Sequence, residues 1–206
     1  MSNAVQAVLM FEIVEELRNV LITGKPGCGK TTLLKRVAGD LRGLEPAGFY
    51  TEEIRGRGRR EGFRLVGLDG SRGVLAHAEF RGGPRVGKYG VDVGGFEDFL
   101  EALGPGLTTA PLVLMDEIGK MECFSPRFVD LAKRLLGSPK IVVATVALKG
   151  SGFIAEVKRR SDAALVEVVP GNRDRLAGEL AERIAALALA ARRGPVAEGT
   201  SRGTVR

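Results

Sequence analysis

Apolar positions along the chain fall into two kinds of run that take turns. Val20-Leu21-Ile22-Thr23, Pro111-Leu112-Val113-Leu114-Met115, Ile141-Val142-Val143-Ala144-Thr145 and the shorter Ala164–Val168 are continuous stretches, as strands covered on both faces require. Between them lie segments with helical spacing. Leu33, Leu34, Val37, Ala38 and Leu41 form one face; Phe96, Phe99, Leu100 and Leu103 form a second. Phe128, Leu131, Ala132, Leu135 and Leu136 form a third, opened by Ser125 as N-cap with Pro126 behind it and closed by Gly137. The last helix starts near Asn172 and runs through Leu176, Leu180, Ile184 and Leu187. This alternation predicts an α/β domain on a mostly parallel sheet flanked by helices.

Between Ala47 and about Phe80 the period changes from helical to extended. Phe49-Tyr50-Thr51, Phe63–Leu68 and Val74-Leu75-Ala76 read as strands, parted by the stretch Arg55-Gly56-Arg57-Gly58-Arg59-Arg60 and by Asp69-Gly70. The expectation is an antiparallel β insertion after the first helix.

With 206 residues and neither an internal repeat nor an internal linker, the chain predicts one domain over residues 19–190. Residues 1–18 read as an N-terminal extension, with Val8, Leu9, Ile13 and Leu17 spaced for a short helix; Ser2-Asn3-Ala4 reads equally as a tag remnant. The formal charge of +6 invites a nucleic-acid partner, but half of the excess sits in residues 191–206. That segment, with Arg192, Arg193, Arg202 and Arg206 and no apolar period, is expected to be a disordered tail, and nucleic acid is not favoured. No uncharged apolar run approaches the roughly 18 residues of a membrane span, and the start, with Glu12, Glu15 and Glu16, does not read as a secretory signal. Cys28 and Cys123 are too few for a disulfide framework or zinc site. A cytoplasmic monomer is the expectation.

The chemistry begins at Gly24-Lys25-Pro26-Gly27-Cys28-Gly29-Lys30-Thr31, which matches G-x-x-x-x-G-K-[ST] at every fixed position between a buried strand and an amphipathic helix. Glycines in such a P-loop let successive N–H groups turn inward around a phosphate, and the helix start aims its amides at the same anion. Lys30 is placed to bridge the β- and γ-phosphates, the Thr31 hydroxyl to ligate Mg²⁺, and Thr32 to add a contact beside it. Asp116, at the end of the strand from Leu112, is expected to hold the metal's shell, and Glu117 to orient and deprotonate a water attacking the γ-phosphorus. Gly119 brings an N–H near that phosphate. Arg55, with its neighbours Arg57, Arg59 and Arg60, and Lys88, between glycines in Arg85–Gly90, are candidate charge stabilisers; a solvated hairpin tip and an ordinary loop lysine account for them as well. His77 reads as structural, and neither cysteine has a partner for nucleophilic work.

Further stretches carry a resemblance. Gly48-Phe49-Tyr50-Thr51-Glu52-Glu53, Arg85–Val93, Asp116-Glu117-Ile118-Gly119-Lys120-Met121-Glu122 and Asn172-Arg173-Asp174 together resemble the THEP-type nucleoside-triphosphatase family, which includes the cancer-related nucleoside-triphosphatase. The resemblance covers roughly residues 19 to 186. It implies a RecA-like sheet with an extra catalytic glutamate and Mg²⁺-dependent hydrolysis of nucleoside triphosphates of the ATP, GTP, CTP and UTP class with little base preference. It also implies phosphate binding by Gly24–Thr31 and a second nucleotide-contacting segment at Leu112, Val113, Leu114, Met115, Asp116, Glu117, Ile118 and Gly119. The residues before 19 and the segment Leu148–Gly152 depart from the family pattern. Two other readings fit a P-loop: a kinase for a nucleoside, nucleotide or polynucleotide end, and a nucleic-acid-associated switch. Glu117 directly after Asp116 favours hydrolysis.

Overall fold

The structure is a computed structural model that describes residues 17–56 and 58–193. The expected N-terminal helix before residue 17, Arg57 and the tail from residue 194 lie outside the described residues. Among those described, nine strands form one sheet: β1 (Asn19–Thr23), β2 (Ala47–Gly56), β3 (Arg59–Gly67), β4 (Arg72–His77), β5 (Arg85–Val86), β6 (Tyr89–Val91), β7 (Leu112–Ile118), β8 (Ile141–Val146) and β9 (Ala163–Glu167). Their spatial order is β5-β6-β4-β3-β2-β7-β8-β1-β9. The helices are α1 (Lys30–Asp40), α2 (Val93–Thr109), α3 (Pro126–Leu136), α4 (Phe153–Lys158) and α5 (Arg173–Arg193).

The run β2-β7-β8-β1-β9 is parallel throughout, as continuous apolar strands predict. Strand pleating sends alternate side chains to two cores. Leu21, Val113, Met115 and Val142 meet Phe96 and Phe99 of α2 and Phe128 of α3, whereas Val20, Ile22, Leu114 and Val143 meet Leu33, Leu34 and Val37 of α1 and Leu180 and Ile184 of α5. Each fully buried side chain of this size contributes about 1.5–3 kcal/mol. Placing β8 between β1, which enters the P-loop, and β7, which carries Asp116, gives the RecA-like sheet that the resemblance implied.

The antiparallel part is less separate than its change of period suggested. β2 pairs in parallel with β7 at Ala47–Phe49 and antiparallel with β3 from Phe49 onward, so the insertion extends the central sheet at its edge. The arginine-glycine stretch is mostly strand, because β2 continues to Gly56 and β3 begins at Arg59. β7 likewise runs through Asp116 and Glu117 to Ile118, where the sequence pattern stopped at Met115. Two elements went unforeseen: α4, too short to display a period, and the β5–β6 hairpin. Residues 191–193, read as tail, continue α5, as the alanine-rich sequence before them favours.

Candidate active site

β1 ends at Thr23 and the chain turns through the P-loop into α1. Gly24, Gly27 and Gly29 take φ of +152°, +78° and +101°, a region L side chains rarely adopt. Space is as restrictive as conformation at Gly24, where a Cβ would stand 2.5 Å from the Val168 carbonyl oxygen and 2.7 Å from Cys28 Sγ. Gly29 precedes α1, and no side chain caps that helix. Its first-turn amides, together with the positive end of the helix dipole, are available to an anion. Lys25, Pro26, Gly27 and Thr32 are exposed, while Cys28 is buried beneath the loop.

Lys30 lies back across this turn. Its ammonium donates to the Gly24 carbonyl at 3.4 Å and stands 3.5 Å from Glu117 Oε2, although the residue is only 8% exposed. Asp116, 1% exposed, gathers four elements. Its Oδ2 accepts from the Thr31 hydroxyl of α1 at 2.8 Å and from both the hydroxyl and the N–H of Thr51 of β2 at 3.1 and 3.3 Å; its Oδ1 accepts from Thr145 of β8 at 2.5 Å. These bonds fix the carboxylate and satisfy the desolvation demand of a buried charge. The Lys30 ammonium and the acidic pair thus share one pocket. The peptide between Asp116 and Glu117 is cis.

A third carboxyl, Glu122, completes the acidic side. Gly119 separates it from Glu117: a Cβ on Gly119 would meet Glu122 Oε2 at 2.8 Å and Glu117 Oε1 at 3.3 Å. Burial pushes the Glu122 carboxyl up to about 8, with the charges of Glu117 and Asp116 adding to it and backbone N–H bonds from Glu122 and Gly119 opposing it. Burial also raises Glu117, against the pull of Lys30. Asp116 and Glu117 beside the one ammonium of Lys30 leave the pocket short of positive charge. The donor set suits Mg²⁺, because hard oxygens of Thr31 and Asp116 lie side by side. Among the described residues no group of three or more His, Cys, Asp and Glu is arranged to hold a metal ion by itself. Mg²⁺ commonly binds through one or two carboxylates plus substrate phosphates and water.

Other candidate residues sit differently. Leu112, Val113, Leu114, Met115 and Ile118 are at most 1% exposed and their side chains belong to the two cores. Within that segment Asp116, Glu117 and Gly119 supply the polar surface. Arg55 pairs with Glu53 on its own strand, and Arg60 pairs with the same carboxylate at 3.0 Å. Lys88 occupies the turn of the β5–β6 hairpin with its ammonium 5.3 Å from the Tyr89 ring centre. β6 is separated from β7 by β4, β3 and β2, about 19 Å at ordinary strand spacing. His77 packs on Phe80 with ring centres 5.7 Å apart and accepts from the Glu79 N–H at 3.3 Å, a structural position. Burial pushes the Cys123 thiol up to about 12, which leaves it without nucleophilic thiolate at neutral pH.

Sequence reasoning assigned no role to Thr51, Thr145, Glu122 or Arg173. Thr145 carried a signal, a hydroxyl closing an otherwise apolar strand. Arg173 lies over the P-loop, with its Cδ 2.7 Å and Nη1 3.3 Å from where a Cβ of Gly29 would stand.

Comparison with known proteins agrees with this geometry. A family model described as NTPase matches residues 19–181. The nucleoside-triphosphatase THEP1 of Thermotoga sp. (strain RQ2) is 39% identical over 162 residues, covering 78% of this chain and 92% of that protein. The human cancer-related nucleoside-triphosphatase is 38% identical over 178 residues, covering 77% and 92%. Among solved structures, THEP1 from Aquifex aeolicus superposes with a TM-score of 0.69 at 35% identity, covering 79% of this chain and 96% of that one.

Proposed function

Because the chain belongs to the NTPase family, whose relatives are nucleoside-triphosphatases, we propose that it hydrolyses nucleoside 5′-triphosphates to the diphosphate and phosphate with Mg²⁺ and with little regard for the base. The observation that carries the reading is the Lys30–Glu117–Asp116–Thr31 constellation at the mouth of the P-loop. A phosphate-binding turn alone serves kinases and hydrolases equally. A carboxylate directly beside the metal-holding aspartate serves water.

The P-loop amides and Lys30 hold the polyphosphate, and Thr31 and Asp116 are the residues that would hold Mg²⁺. When bound, that ion neutralises charge on the β- and γ-phosphates. Glu117 orients a water and accepts its proton as the oxygen bonds to the γ-phosphorus. The bond from that phosphorus to the β–γ bridging oxygen breaks, and the diphosphate leaves with the electron pair. Lys30 cannot serve Glu117 and the phosphates at full strength together. Its transfer to the substrate removes the group that lowers the Glu117 pKa, and so makes that carboxylate a stronger base in the loaded site.

A cytoplasmic location and a monomeric state complete the reading; the two free cysteines suit a reducing compartment. Among the described residues no helix is long and apolar enough to cross a membrane. The deciding experiment is phosphate release from ATP, GTP, CTP and UTP, with and without Mg²⁺ and with no acceptor present. Release from all four that needs Mg²⁺ supports the reading; phosphate transferred only to an added acceptor would assign a kinase instead.

A further inference from the structure

The triphosphate has a direction in this pocket, and the sheet order sets it. Asp116 and Glu117 on β7 mark the γ-phosphate end, and the P-loop leaving β1 grips the middle. In the order β7-β8-β1-β9 the next strand beyond β1 is β9. Ligands of open α/β sheets lie across the carboxyl ends of the strands. A chain of phosphates running from β7 over β1 therefore delivers its nucleoside to the segment that follows β9.

That segment is built tightly. The Val168 N–H donates to the Thr23 carbonyl at 2.8 Å, which ties the exit of β9 to the start of the P-loop. Asn172 staples the turn from within: its Oδ1 accepts from the Val169 N–H at 2.9 Å and its Nδ2 donates to the Glu167 carbonyl at 3.0 Å. Val169 is 45% exposed on this turn, an apolar side chain facing water. Arg173 follows, lying against Gly29. Asp174 accepts from its Nε at 3.1 Å and its Nη2 at 3.4 Å. That grip orients the guanidinium by one edge, and its side chain stays 37% exposed.

We propose that Arg173, on the turn that begins at Val168, forms the nucleoside wall of the site, its guanidinium plane receiving the face of the base of any nucleoside triphosphate. The inference rests on the hydrolase reading above and names where the substrate's other end goes. Stacking on a planar cation uses the π-face that every base has and reads none of its edges. Broad base tolerance then has a physical origin in this chain.

The test separates nucleoside from phosphate. Affinities for ATP and for inorganic tripolyphosphate are measured by titration calorimetry in EDTA, where the Mg²⁺-dependent hydrolysis does not run, for the wild type, Arg173→Ala and Arg173→Lys, each with a melting curve to establish folding. Arg173→Ala is expected to weaken ATP about tenfold, the scale of one stacking contact, and to change tripolyphosphate by less than about twofold on the same scale. Arg173→Lys keeps the charge and loses the plane, so it should resemble Arg173→Ala. Equal weakening of both ligands would make Arg173 a phosphate ligand and overturn the proposal. So would unchanged ATP affinity, with or without a loss of turnover. Wild-type protein that releases no phosphate from ATP breaks the hydrolase reading itself. Wild-type protein that does release it, beside variants that bind ATP normally, breaks only the inference about Arg173.

Discussion

The Lys30 ammonium stands 3.5 Å from Glu117 Oε2, so the residue proposed to grip phosphate and the residue proposed to activate water are paired with each other in the chain alone. The pair joins α1 to β7 across the pocket and gives a largely desolvated carboxylate its counter-charge. On that proposal a bound triphosphate takes Lys30 out of the pair. The ion pair is thus a competitor of the substrate, and breaking it from either side has opposite consequences.

Glu117→Gln should abolish turnover without harming affinity. A general base of this kind contributes about 10²- to 10⁴-fold, so phosphate release falls by that factor. With the competing carboxylate gone, Lys30 is free for the phosphates, and ATP binds at least as tightly as to the wild type. Lys30→Ala should weaken ATP by roughly two orders of magnitude, the scale for truncating one partner of a buried charged pair. Single-turnover phosphate release and titration calorimetry check the two together; unaltered turnover in Glu117→Gln would remove that residue from the chemistry.

Glu122 makes stability depend on pH in an unusual direction. Its folded-state carboxyl is raised to about 8 from an ordinary value of 4.5, so the folded chain holds a proton that the unfolded chain releases. Stability is then greatest below about 4.5 and declines as pH climbs toward about 8, where the loss levels off. Glu117, also raised by burial, adds in the same sense. Denaturant unfolding of metal-free protein at pH 5 and pH 8.5 reads the effect. Glu122→Gln should flatten the decline and exceed the wild type in stability at the higher pH, whereas an identical slope in both proteins would show that Glu122 is charged throughout.

Thr145→Val removes the hydroxyl that donates to Asp116 Oδ1 at 2.5 Å and keeps the side-chain shape. Asp116 retains its partners on Thr31 and Thr51, but the freed lone pair is buried, at a cost of about 1–3 kcal/mol in stability. The carboxylate also loses one of its fixing points, so the Mg²⁺ concentration for half-maximal turnover should rise about tenfold, the lower end of what loss of an outer-shell partner costs a metal site. A magnesium titration of steady-state hydrolysis checks it. A variant with wild-type magnesium dependence would mean that Thr145 serves only packing.

How much of this was readable follows from where each signal resides. The P-loop is eight consecutive residues whose chemistry is local, so Gly24–Thr31 could be read without knowing the fold. Asp116 and Glu117 were readable because they stand at the end of an apolar run, and the parallel core because its strands are apolar on both faces. Thr145 becomes a site residue only through the β7–β8 register, which sets Met115 beside Ala144. Arg173 reaches Gly29 only because β9 pairs with β1, a contact across some 140 residues of chain. Nothing within a short window of sequence distinguishes it from the other arginines. Arg55 illustrates the converse: its local sequence offered a charge stabiliser or a solvated hairpin tip, and only the structure shows that β2 runs on to Gly56, with a register shift at Ile54/Arg55, and that Arg55 pairs with Glu53. Short elements such as α4 fail for want of a full period.

Gly48 is where the sheet and the site depend on the same atom that is missing. It pairs with Leu114 across β2 and β7 at a φ of +131°, and a Cβ there would stand 1.8 Å from the Leu114 carbonyl oxygen and 2.9 Å from its nitrogen. No side chain can swing aside, because the obstacle is backbone. Gly48→Ala must therefore push β2 away from β7, three residues before Thr51 delivers its hydroxyl and N–H to Asp116. The expected cost is about 3–5 kcal/mol, the range of diagnostic steric and backbone lesions. Gly58→Ala provides the comparison. Gly58 also has positive φ, +75°, but a Cβ there meets nothing within 4 Å, so only the conformational penalty of about 1–2 kcal/mol applies. Denaturant unfolding of the two variants should differ by roughly that gap in kcal/mol, and the folded fraction of Gly48→Ala should hydrolyse ATP more slowly while Gly58→Ala retains full turnover. Equal destabilisation by the two substitutions would mean that β2 can shift on β7 at no cost, and that the Thr51–Asp116 contact does not depend on the close approach of these strands.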